Sequence, residues 1–312
     1  MTHSQTPSTG PDDRKLATSP SLPRSAVSVF LGKVVLVITI VYALAYATRL
    51  FELLVLRTDQ GQFGEAFIHK LVGIVILVIA VRLVDFRLGQ TGFARTKAVK
   101  NTLLGIGIGL TVFAIAYATE LLLLKAQGEA PRLEFFVTAY GLAGNVAGTT
   151  TVLAVVLCLL FNLINVVMEE GMFRGFLTTL AMRRVSFMGA NIIASVLFGL
   201  WHVAMPVRAC LDGEMTVGGA IGASSVYVVT SFLMGFLLGL LTRMSGGLWL
   251  PMGVHFVNNT IINLLHVVTI SGTDQMQAIR IGITQTLLCI VIVSVYLVRY
   301  RGRSVAAQDS DK

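Results

Sequence analysis

The sequence predicts an all-α, polytopic integral membrane protein with about eight spanning helices, and three observations predict it. The 312 residues are 55% hydrophobic and 13% charged, with a mean hydropathy of +0.79, whereas a soluble domain carries about 25% charged residues. The apolar residues gather into runs near the ~20 residues that a helix needs to cross about 30 Å of hydrocarbon. The cations between those runs are unevenly divided between the two sides, which is how loop charge sets the orientation of a spanning bundle.

Residues 1–25, with Pro7, Pro11, Pro20 and Pro23 among Ser and Thr, have the composition of a disordered cytosolic tail rather than of a cleavable signal. Apolar runs follow at 26–47, 66–84 and 103–124, then at 150–182, 187–204, 220–241, 248–268 and 281–298. This divides the chain into a first group of three spans over 26–149, a second group over 150–268, and a last span with a basic cytosolic tail over 269–312. With the N-terminus in the cytosol, the inside receives Arg14, Lys15, Arg24, Arg82, Arg87, Arg95, Lys97, Lys100, Arg183, Arg184, Arg243, Arg299, Arg301, Arg303 and Lys312, fifteen cations in all. The outside receives six: Arg49, Arg57, Lys125, Arg132, Arg208 and Arg280. Both termini are therefore expected in the cytosol, with the plasma membrane of a prokaryote as the bilayer. A net charge of +8 serves this topology, and no basic soluble surface points to nucleic acid.

Gly105, Gly107 and Gly109 lie inside an apolar run with no strand before them, so they read as helix packing and not as a nucleotide loop. Gly235 and Gly239 read the same way. Cys158, Cys210 and Cys289 form neither a disulfide framework nor a metal cluster.

Ionisable groups inside a span cost about 2.5–3.5 kcal/mol each, so a retained one marks a candidate site. Lys33, His69, Lys70 and Glu120 lie near span ends and read as interface residues. Glu169, Glu170 and Arg174 do not, because they sit well inside a long run. Glu170 and Arg174 are four residues apart with the acid first, the favourable order for an ion pair on one helix face. Glu169 projects about 100° away, without a partner on its own helix, and is left to exchange a proton. Counted from Val185 in the turn at Arg183 and Arg184, Glu169 lies 16 residues back and His202 lies 17 forward, so an antiparallel hairpin brings them to one height. His255 and Asn259 share a face of a later helix, and Asn258 points away from it. A carboxylate, two imidazoles and an amide suit polarisation of water against a carbonyl. Two imidazoles and a carboxylate could equally hold a catalytic zinc with an open position, and the residues leave that choice open.

Glu-Glu-x-x-x-Arg at Glu169, Glu170 and Arg174, Phe-x-x-x-His at Phe198 and His202, and His-x-x-x-Asn at His255 and Asn259 together resemble the three motifs of the CPBP family, also called the Abi or CAAX prenyl endopeptidase family. The resemblance covers roughly 150–268. It implies an intramembrane endopeptidase acting on membrane-associated peptides or proteins. By that resemblance Glu169 activates water, Glu170 with Arg174 supports the site, and His202, His255 and Asn259 bind the oxyanion or orient the water. The family also contains bacteriocin-immunity proteins, so the alternative is a non-proteolytic membrane protein, as are a scaffold or a transporter. A strongly tilted or projecting helix at 150–182, whose last turns hold Thr178 and Thr179, leads to the expectation of a cavity open to the cytosol.

Overall fold

The computed structural model describes residues 24–60, 66–138, 145–146, 148–270, 272–274 and 276–309. The tail expected over 1–25 lies, as far as residue 23, outside the described residues. The described residues form ten α-helices: α1 (Arg24–Phe51), α2 (Ile68–Leu83), α3 (Ala98–Ala126), α4 (Val152–Glu169), α5 (Thr178–Ala181), α6 (Phe187–Trp201), α7 (Ala204–Leu211), α8 (Val217–Ser245), α9 (Trp249–Leu264) and α10 (Gln277–Asp309). A π-helical segment, Glu170–Leu177, joins α4 and α5 into one rod.

Among the described residues six helices are long and apolar enough to cross a membrane: Lys33–Leu56, Ala98–Ala126, Val152–Ala181, Phe187–Leu211, Val217–Ser245 and Gln277–Arg299. The chain is an integral membrane protein. The other two of the eight expected spans, α2 and α9, have 16 residues each, or about 24 Å, short of a full crossing. Helix α9 buries most of its length, from Leu250 to Val257 on nearly every side. Its hydrophobicity thus answers to protein neighbours, which hydropathy alone cannot tell from lipid. The run at 248–268 also overran the helix, since its last residues form a strand.

Element ends follow local chemistry. Thr151, Ser186 and Thr216 cap α4, α6 and α8 by accepting from Ala154, Gly189 and Gly219 N–H groups. Gly246 ends α8 at φ +75°, a conformation that costs glycine nothing. Small residues then set the helix spacing. Gly105 and Gly109 of α3 face Leu250, Gly253 and Val257 of α9, whereas Gly107 faces open space. Gly235 and Gly239 of α8 lie against Ser195, Phe198 and Asn191 of α6. A methyl group added at Gly253 would meet the Thr102 carbonyl oxygen, Ile106 N at 2.9 Å and Gly105 Cα at 3.0 Å. All three are backbone atoms that cannot rotate away. Gly253→Ala is expected to lower stability by about 1–3 kcal/mol, read as a lower unfolding temperature in detergent; an unchanged one would contradict this packing.

The bundle has two ends. One, the terminal face, carries the start of α1, the α2–α3 loop, the Arg183–Arg184 turn, the Gly246–Gly247 turn and the end of α10. The far face carries the connections α1–α2, α3–α4, α7–α8 and α9–α10, and there the chain makes short strands. Strand β1 (Arg132–Phe135) pairs antiparallel with β3 (Leu265–Val268), and β2 (Asn145–Val146) pairs with β4 (Thr273–Asp274). Arg280 bonds Glu120 of α3 at 2.7 Å and also Asp274, with all three side chains fully buried, and His266 lies 3.2 Å from Asp274. Arg280 is thus a buried ion-pair partner rather than the loop cation the sequence suggested. Arg49 and Arg208 are buried as well. Arg208 joins Asp59 at 2.5 Å and Asp212 at 3.3 Å, and Arg57 bonds Asp212 in turn. The hydrogen bond from Arg57 holds the Asp212 carboxyl below its usual range.

Candidate functional site

The α4–α5 rod supplies the acids. Glu169 is the last α-helical residue and Glu170 the first of the π-helical segment, an irregularity frequent at functional sites. Gly171 and Gly175 let this widened turn sit tightly. A methyl at Gly171 would meet Leu77 Cδ2 at 2.7 Å, and one at Gly175 would meet the Thr91 carbonyl oxygen at 2.8 Å. The Thr178 hydroxyl donates to the Phe173 carbonyl at 2.8 Å, and Thr178 is buried against neighbouring helices.

The Glu170–Arg174 pair forms at 3.1 Å with both side chains buried. The guanidinium lies 3.9 Å over the Phe198 ring and donates to the Gly235 carbonyl at 3.4 Å. Glu170 has a second partner that helical spacing could not reveal: it accepts from His255 Nδ1 at 2.7 Å. That bond fixes the imidazole with its proton on Nδ1 and turns Nε2 toward Glu169 Oε2, 3.6 Å away. The other Glu169 oxygen accepts from Trp201 Nε1 at 3.2 Å. His202 donates from Nδ1 to the Phe198 carbonyl at 2.9 Å and stacks on Tyr227, leaving its Nε2 as an acceptor. The Asn259 Oδ1 accepts from Asn258 at 3.1 Å, so the Asn259 amide NH2 remains as a donor.

A cavity of about 410 Å³ adjoins these groups. His202, His255 and Asn259 line it; Glu169, 3% exposed, stands behind its wall, and Glu170 and Arg174 are sealed further in. Other lining residues had been passed over. Asn162 and Asn165 precede Glu169 by seven and four residues on the same face of α4, a helical period that could have flagged them. Asn258, Lys70 and His69 line the cavity too. His69 is held through Nδ1 by Glu52, whose carboxylate also accepts from the N–H groups that open α2. This second carboxylate–imidazole pair joins residues 17 apart across a chain reversal, beyond any helical spacing rule.

Most lining residues lie toward the far face, while Met234 and His255 stand in the terminal-face halves of α8 and α9. This placement is at odds with expecting both cytosolic termini and a cytosolic opening.

Residues 151–261 match the family model described as type II CAAX prenyl endopeptidase Rce1-like. Over that segment the chain is similar to the CAAX-protease-like CPBP family. All seven motif residues fall inside the matched segment, while α1, α2, α3 and α10 fall outside it. No curated protein matches the chain. For the zinc alternative, among the described residues no three His, Cys, Asp or Glu side chains are placed to hold a metal ion together.

Proposed function

We propose that the chain is an intramembrane endopeptidase that hydrolyses peptide bonds of membrane-associated substrates with a water activated by Glu169. The observation that carries this reading is the meeting of the three motif helices: Glu169 from the α4–α5 rod, Trp201 and His202 from the end of α6, and His255 and Asn259 from α9, beside one cavity. Glu169 takes a proton from the water as its oxygen attacks the substrate carbonyl carbon. The Asn259 amide donates to the oxyanion that develops, and His202 Nε2 accepts from the water and orients it. His255 Nε2 relays the proton from Glu169 to the leaving amine, with Glu170 stabilising the imidazolium through Nδ1, the service a buried carboxylate renders to a catalytic histidine.

One observation favours a non-catalytic reading, as an immunity or scaffold protein: Glu169 is only 3% exposed, as a helix-gluing acid would be. The two readings separate in the membrane peptides of cells that carry either the wild type or Glu169→Ala. Fragments with newly made ends that require the wild type support the protease. Identical peptide sets from both strains would overturn it.

We further infer that both termini are cytosolic, supported by the exposed cations of the terminal face. A reporter fused after Lys312 is expected to be active only if it works in the cytosol, and activity of an externally active reporter would reverse the assignment.

A further inference from the structure

We propose that the site opens on the extracytoplasmic side, so that its substrates are polypeptide segments exposed on that side of the membrane. The proposal deepens the proteolytic reading above, and rests on it for the word substrate, but its geometry stands apart from it.

Most of the cavity wall comes from the far-face halves of its helices, and Met234 and His255, just past the middle of α8 and α9, form its floor. Arg49 comes from the end of α1, His69 from the start of α2, Asn263 from the end of α9 and Gln285 from the start of α10. Asp59, in the α1–α2 connection, brings the lining to a part of the chain that is partly open to solvent, with its side chain 27% exposed. Toward the terminal face the path is closed. Phe173, Phe176, Leu177, Leu180 and Leu248 are each at most 2% exposed and fill the space between the acids and the Arg183–Arg184 turn with dry apolar packing, where a water column would find no hydrogen-bond partners.

Charge says which side this is. The cations of the terminal face stand in its loops and tails, whereas three of the six counted for the far face, Arg49, Arg208 and Arg280, are buried, the last two in ion pairs. Removing these buried three sharpens the bias in loop charge that places the terminal face in the cytosol. A mouth on the far face then looks outward. The chemistry reaches polypeptide that has crossed the bilayer, or the outer flanks of spanning helices, and cytosolic tails cannot enter.

The test needs no substrate. In a background with Cys158, Cys210 and Cys289 replaced by serine, Ser231→Cys and Asn263→Cys report on the cavity wall, and Val185→Cys reports on the terminal face. Each is treated with a membrane-impermeant maleimide, in intact cells and in inside-out vesicles, after the variant has been shown to elute as a single species in detergent. Expected is labelling of at least one cavity position in intact cells, and of Val185→Cys only in inside-out vesicles. Cavity labelling confined to inside-out vesicles, labelling from neither side, or labelling of Val185→Cys in intact cells would each overturn the proposal. None of these results bears on proteolysis, which the membrane-peptide comparison decides by itself.

Discussion

Glu169→Gln is expected to reach the membrane in wild-type amounts while losing about 10²–10⁴-fold in turnover, the usual contribution of a positioned general base. The substitution keeps shape and hydrogen bonds. A glutamine oxygen can still accept from Trp201 Nε1, 3.2 Å from the present carboxylate, and its NH2 group would face His255 Nε2, 3.6 Å from the other oxygen, with a donor. What disappears is the ability to take a proton from water. Abundance by immunoblot and cleavage of a peptide mapped from the wild-type membrane fragments read the two effects separately. Retained turnover would remove Glu169 from the chemistry, and disappearance of the protein would make it a structural residue.

Arg174→Ala should show the opposite pattern. The guanidinium is 3% exposed, pairs with Glu170 at 3.1 Å, lies over Phe198 and reaches the Gly235 carbonyl. Its removal leaves the fully buried Glu170 facing His255 alone. Breaking a buried pair from one side costs about 3–5 kcal/mol, against a total stability of about 5–15 kcal/mol for a folded protein. The variant is expected to accumulate poorly and to unfold at lower temperature in detergent. Normal accumulation with failure only in turnover would move Arg174 from supporting the fold to the reaction itself.

Much of this was legible in the residues, for physical reasons that also mark where legibility ended. A charge inside an apolar run is costly wherever the run lies, so Glu169, Glu170 and Arg174 stood out without any knowledge of neighbours. The nearly matched counts from Val185, 16 and 17, brought the end of α6 to the acids, although Trp201, one residue before His202, makes the hydrogen bond. The four-residue spacing of His255 and Asn259 put both on the cavity. Hydropathy, however, reports an apolar environment without saying whether lipid or protein supplies it, so the enclosed α9 read as a span. The π-helical segment leaves no periodic trace beyond Gly171 and Gly175. Pairs such as Glu170–His255 and Arg280–Glu120, 85 and 160 residues apart, exist only once the helices are packed.

The wall of the cavity is assembled from two kinds of helix, and this bears on what a shared signature can hand down. His202, His255 and Asn259 belong to the matched segment, but Arg49, His69, Lys70 and Gln285 come from α1, α2 and α10, which the signature does not reach. The matched helices hold the tool, and the others shape the doorway. Lineages that keep the tool are free to rebuild the doorway, because substitutions in α1, α2 or α10 alter what is admitted without touching the acids on the α4–α5 rod. What is admitted is therefore a property of the doorway, and two proteins with the same three motifs need have no guest in common.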